Sequence, residues 1–134
     1  MASLVLTAPT VAILTCMIGK WRSTVVDCID PSKLAEFYAV LIGGSISSED
    51  HDWFVLTSPE GQRLAFQRAP EHRPPRFPDP HATQQFHLDV KVGEIEAAER
   101  QVLARGATRV ADAVEDDTFR VYRDPAGHTF CLVW

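Results

Sequence analysis

Residues 53–68 read Trp-Phe-Val-Leu-Thr-Ser-Pro-Glu-Gly-Gln-Arg-Leu-Ala-Phe-Gln-Arg, and residues 119–134 read Phe-Arg-Val-Tyr-Arg-Asp-Pro-Ala-Gly-His-Thr-Phe-Cys-Leu-Val-Trp. Each stretch is a run rich in aromatic and aliphatic residues, a turn, and a second such run, the pattern of two strands joined by a tight turn. The turns are Ser58-Pro59-Glu60-Gly61 and Asp124-Pro125-Ala126-Gly127, and their prolines stand 66 positions apart. Upstream of each pair the same order recurs. Asp30-Pro31 opens a helix, because Asp accepts from free amides at the helix start and Pro in the first helical position gives up no hydrogen bond. Leu34, Phe37, Tyr38 and Leu41 then share one face, and Gly43-Gly44 ends the run. Glu94 to Arg105 forms the second helix, with Ile95, Ala98 and Val102 on one face and Gly106 after it; Asp30 and Glu94 stand 64 positions apart. A strand precedes each helix, at Thr24 to Cys28 and at Phe86 to Val92. Two copies are too few for a solenoid, which needs at least about three. The repeat predicts a pseudo-symmetric α+β pair of β-α-β-β modules, with room for one more strand in each.

Composition narrows the function. The chain has 134 residues, 46% hydrophobic and 23% charged, as a soluble globular domain does. Its net charge of −5 offers no basic surplus for phosphates, so nucleic-acid binding is excluded as a main function. Cys16, Cys28 and Cys131 are too few and too scattered for a disulfide framework or a CxxC metal knuckle, and a cytoplasmic location is expected. Leu4 to Ile18 is mostly apolar, but it is too short to span a bilayer, is interrupted by Pro9, and precedes the first lysine, Lys20. Membrane association is not expected. The reading is of an apolar extension over residues 1–20, possessing at most an edge strand and packing on the body or on a partner chain. Residues 21–134 form the domain, with modules at about 21–68 and 86–134 and a connection at 69–85.

That connection holds Pro70, Pro74, Pro75, Pro78 and Pro80, five of the nine prolines, which forbids a helix and favours an extended excursion. It also carries His72, Arg73, Arg76 and Phe77, unusual cargo for an inert spacer. This points to a flap over a site. Strand alternation assigns the faces. Val26 and Cys28 oppose Val25 and Asp27; Leu64 and Phe66 oppose Arg63, Ala65 and Gln67; Leu88, Val90 and Val92 oppose His87, Asp89 and Lys91; Phe130, Leu132 and Trp134 oppose Thr129, Cys131 and Val133. The wholly apolar faces are expected against the helices, and the mixed faces around a polar-floored cleft.

The segments Asp30-Pro31…Phe37-Tyr38…Gly43, His87-Leu88-Asp89-Val90…Glu94-Ile95…Ala97-Ala98 and Arg120-Val121-Tyr122…Asp124-Pro125-Ala126-Gly127-His128-Thr129-Phe130 together resemble the vicinal oxygen chelate superfamily, the glyoxalase and bleomycin-resistance fold, over roughly Trp21 to Trp134. The resemblance implies two βαβββ modules whose sheets curve around a cleft, with helices on the outer face, and a homodimer. It also implies a divalent metal in some members, held by His, Glu or Gln on the first and last strand of each module. Those positions here are Ser23, Ala65, His87 and Cys131, of which only His87 is a good match. A His–Cys pair is thin for zinc, which takes three or four protein ligands, although Asp27, Asp89 or Gln67 are available as substitutes. No metal and no other cofactor is therefore expected.

The expected ligand-binding residues are Asp27, Gln67, Phe77, His87, Asp89 and Cys131. The first expectation is a metal-free protein that binds a small molecule, a drug or a metabolite, through an apolar wall and a few polar anchors. The alternative is a lyase or isomerase acting on a small carbonyl-type substrate, with or without a divalent metal and with His87 as base. Same-face neighbours such as His87 and Asp89 sit roughly 6–7 Å apart along a strand backbone, too far to pair tightly unaided. Cys131 beside His87 reads better as a buried cysteine than as a nucleophile. Trp21, Trp53 and Tyr122 read as packing residues, and Asp124 as the cap of its turn.

Overall fold

The computed structural model describes Ala12 and residues 18–134. The rest of the N-terminal run, and with it the expected edge strand and appendage, lies outside the described residues. Among the described residues, no helix is long and apolar enough to cross a membrane.

The first module runs β1 (Thr24–Cys28), α1 (Pro31–Ile42), β2 (Ser45–Asp50), β3 (Trp53–Thr57) and β4 (Arg63–Arg68). The second runs β5 (Leu88–Lys91), α2 (Ile95–Ala104), β6 (Thr108–Arg109), β7 (Phe119–Arg123) and β8 (Thr129–Val133). Each module is an open four-stranded sheet, in the orders β1-β4-β3-β2 and β5-β8-β7-β6. This is the α+β arrangement of two pseudo-symmetric βαβββ modules. Asp30, the expected cap, accepts from the Lys33 amide at 3.2 Å, and Glu94, read as the first helical residue, caps the second helix instead by accepting from the Glu96 and Ala97 amides at 3.2 and 2.9 Å.

Register makes the symmetry exact enough to transfer positions. Val55 pairs with Ala65 as Val121 pairs with Cys131, and β1 runs parallel to β4 with Val25 beside Ala65 as β5 runs parallel to β8 with Asp89 beside Cys131. The turns match as well. The Gly61 amide donates to the Ser58 carbonyl at 2.9 Å and the Gly127 amide to the Asp124 carbonyl at 2.9 Å.

One core joins the modules. Leu34, Phe37 and Tyr38 of α1 pack with Phe66 of β4 and also with Phe130 of β8. Tyr38 stacks on Phe66 with ring centres 5.7 Å apart, Phe37 meets Phe130 edge-on at 5.8 Å, and Tyr122 stacks on Phe130 at 5.5 Å. Burying each such ring is worth about 1.5–3 kcal/mol relative to exposure. The Tyr38 hydroxyl donates to Asp124 Oδ2 at 2.6 Å, so the first module's helix reaches the second module's turn. Tyr122 is a packing residue, as expected; Trp21 is not, being 82% exposed.

Candidate functional site

The Pro-rich segment decides where a site can form. It crosses onto the second module and is pinned there along its length. The His72 ring Nε2–H donates to the Ala126 carbonyl at 3.1 Å, and the ring stacks on that of His128 with centres 4.7 Å apart. Pro74 packs on Gly127. Arg123 donates to the Phe77 carbonyl, and the Thr129 hydroxyl to Gln84 Oε1 at 2.5 Å. His128 in turn donates from Nε2 to the Asp27 carbonyl at 2.7 Å, which ties β1 to the same turn. A carbonyl only accepts, so both rings carry their proton on Nε2 in these bonds.

Phe77 packs against Val110, Val121 and Cys131, with Phe119 and Val133 beside them. This covers the mixed face of β7 and β8 with an apolar plug. The open cleft lies instead between β1, this segment and the start of β5, with a volume of about 1150 Å³. Asp27, Gln67 and His87 line it, while Phe77, Asp89 and Cys131 do not. Trp21 and Phe86 line it too, and both are largely exposed, at 82% and 88%. Sequence reasoning left Trp21 in the core and Phe86 in a strand; the signal that could have placed them was their position at the outer ends of β1 and β5, next to the segment that walls the cleft.

His87 is closer to Asp89 than strand spacing allows for. Its Nε2 lies 3.4 Å from Asp89 Oδ1. His87 sits one residue ahead of β5, so its ring is free of the pleat and leans along the strand. Cys131 joins them, and one donor atom from each of the three residues lies within 4.8 Å of the others. Burial pushes the Cys131 thiol up to about 11, with the Asp89 charge adding to the effect. At neutral pH it is therefore a protonated thiol and a poor nucleophile.

Register supplies a test of the metal that the family resemblance implies. The first-module counterparts of His87, Asp89 and Cys131 are Ser23, Val25 and Ala65. They offer one hydroxyl and no stronger donor, and Ala65 is fully buried. A ligand set drawn from both modules does not fit these residues.

Comparison with known proteins agrees with the architecture. A family model described as a glyoxalase-like domain matches residues 23–133. No curated protein matches the chain. Among solved structures, a glyoxalase family protein from Bacillus cereus superposes with a TM-score of 0.66 at 14% identity, over 90% of this chain and 97% of its own. A genomically encoded fosfomycin resistance protein from Listeria monocytogenes gives 0.64 at 12% identity, over 87% and 92%. A glyoxalase/bleomycin resistance protein from Albidiferax ferrireducens gives 0.56 at 20% identity, over 84% and 96%. At these identities the likeness is one of fold.

Proposed function

The chain belongs to the glyoxalase-like domain family, and from that premise we propose that it is a metal-free, cytoplasmic small-molecule binding protein, acting as a homodimer on a drug or metabolite. One observation carries the reading. A cleft of about 1150 Å³ sets apolar groups such as Trp21, Val26, Phe86 and Leu88 beside polar ones such as Asp27, Gln67, Arg73 and His87, while the first-module positions that a shared metal would need hold Ser23, Val25 and Ala65. Such a cavity is large enough for a drug-sized ligand, and polar groups set among apolar ones give it orientation. Asp27, Gln67 and His87 contact the ligand. Asp89 holds the His87 ring, and Cys131 and Phe77 seat the wall beside it. The structural neighbours named for bleomycin and fosfomycin resistance support a role in drug handling.

A second reading is a lyase or isomerase for a small carbonyl compound, and the 3.4 Å approach of His87 to Asp89 favours it. A carboxylate at that distance orients the imidazole and stabilises the imidazolium that forms when His87 takes a proton next to a carbonyl. No step here runs through a metal.

Native mass spectrometry of protein purified without chelator tests the first reading. A metal-free dimer carrying a co-purified small mass is expected. A dimer with near-stoichiometric divalent metal overturns the metal-free reading, and a monomer overturns the dimer. His87→Ala then separates the two functions. A binder loses affinity for the co-purified molecule, whereas an enzyme loses turnover with affinity barely changed.

A further inference from the structure

The cleft reverses the electrical sign of the chain that encloses it. The protein has 18 acidic and 13 basic side chains, yet among the residues lining the cleft Asp27 is the one carboxylate, against Arg73 and Arg76. Among the described residues, these two arginines form no ion pair and no side-chain hydrogen bond. Arg109 and Arg120, by contrast, are spent on Glu96, Glu99 and Glu115, and Arg68 lies 3.7 Å from Asp52. An unpaired guanidinium keeps its full set of donors for a planar or tetrahedral oxyanion.

Their backbone is also fixed. Arg73 lies between His72, bound to the Ala126 carbonyl, and Pro74, packed on Gly127. Arg76 lies between Pro75 and Phe77, whose carbonyl is held by Arg123 and whose ring fills the apolar cluster over Cys131. Anchoring the residues on either side reduces the ordering that binding must impose, which is the physical content of preorganisation. Across the cleft, Trp21 and Phe86 present large exposed rings to the same space.

We propose that the cleft takes an amphipathic organic anion, whose carboxylate or equivalent oxyanion group is held by Arg73 and Arg76 while its apolar body lies against Trp21 and Phe86. This rests on the reading of the chain as a small-molecule binder and specifies the ligand's chemical class. The two cations give charge-assisted hydrogen bonds, and one such interaction is worth about a tenfold change in affinity.

Titration calorimetry of the full chain with three probes of one shape tests it: 2-naphthoate, neutral 2-naphthamide, and the cationic (2-naphthylmethyl)trimethylammonium. Naphthoate is expected to bind about tenfold more tightly than naphthamide or better, with the ammonium weakest. In Arg73→Gln/Arg76→Gln the naphthoate affinity falls to that of naphthamide and naphthamide is unchanged. Both positions are exposed and unpaired, so the variant keeps its fold, and an unchanged melting temperature verifies this. Wild-type protein that binds the amide as well as the acid overturns the anion class and leaves the binding role standing. Equal loss of both probes in the double variant also overturns it, because the arginines then act through packing. Binding of none of the three overturns the binding role itself, and the anion class with it.

Discussion

Replacing Gly127 with Ala is expected to destabilise the protein more than replacing Gly61 with Ala, and the excess reports how firmly the Pro-rich segment is seated. The two glycines occupy equivalent turns with nearly the same backbone, φ +90° at Gly61 and +88° at Gly127. A side chain at either therefore meets the same left-handed penalty, about 1–2 kcal/mol. Their surroundings differ. Nothing lies within 4 Å of a Cβ added at Gly61, whereas one added at Gly127 overlaps Pro74 Cβ and falls 3.0 Å from its Cγ. A pyrrolidine ring has little room to yield, and overpacking of this kind costs about 1–3 kcal/mol more. The expected totals are about 1–2 kcal/mol for Gly61→Ala and about 2–5 kcal/mol for Gly127→Ala.

Urea denaturation of both variants at 25 °C measures the difference, and a double-mutant cycle with Pro74→Gly assigns it. Pro74→Gly alone destabilises through the entropy it returns to the unfolded chain, so the quantity to read is the coupling between the two changes. Relief of the overlap predicts that Gly127→Ala costs about 1–3 kcal/mol less in the Pro74→Gly background. Equal costs for the two alanine variants, or additivity in the cycle, would refute the packing of the segment on this turn.

Two further outcomes follow from buried titratable groups. Burial raises the Cys28 and Cys131 thiols from 9.0 to about 11, so above pH 9 the unfolded chain releases these protons first and stability falls as pH rises. The loss is about 2–3 kcal/mol per thiol by the time pH passes 11, read as a falling urea midpoint that flattens in Cys131→Ala. Tyr38→Phe removes the hydroxyl that donates to Asp124 and is expected to cost about 1–3 kcal/mol at neutral pH. Burial holds the Asp124 carboxyl above its usual range and the Tyr38 bond partly offsets this, so the cost shrinks in acid, where Asp124 is protonated. An equal cost at pH 3 and pH 7 contradicts the assignment.

The fold was largely legible because its signals are local. Six of the strands and both helices follow from alternation, helical spacing and the opening residues Asp30 and Glu94, and the repeat of Pro-containing turns at a fixed offset joined them into modules. β2 was not legible. Ser45–Asp50 is exposed along its whole length and polar but for Ile46, so it pairs with β3 without leaving an apolar period to read. β6 is two residues long, too short for any pattern. In the candidate site, alternation placed Asp27, Gln67, His87, Asp89 and Cys131 on the mixed faces, but what covers a face is a tertiary fact. The density of proline at 69–85 foretold an extended segment, and nothing local foretold that Phe77 packs over Cys131. The Tyr38–Asp124 bond, between residues 86 positions apart, was equally beyond pattern; Asp124 does cap its turn, accepting from the Ala126 and His128 amides at 2.8 and 3.1 Å.

The segment that covers one half of the molecule also shapes what the other half can do. Two equivalent mixed faces, left open, give a symmetric cleft in which each module supplies donors to a shared centre. Here Phe77 fills the second module's face, and the first module's face offers Ser23, Val25 and Ala65 where the second offers His87, Asp89 and Cys131. The strongest ligating groups therefore sit on one side, one of them buried and protonated. The open space has moved to the junction of β1, β5 and the segment itself, whose arginines, glutamines and prolines form its wall. On the proposed binding role, recognition in such a space combines residues of the repeat, such as Asp27, Gln67 and His87, with residues outside it, such as Arg73 and Arg76. On the same proposed role, exchanging the segment is expected to change ligand preference while the two sheets stay folded, because the shared core of Tyr38, Phe66, Tyr122 and Phe130 draws no residue from it.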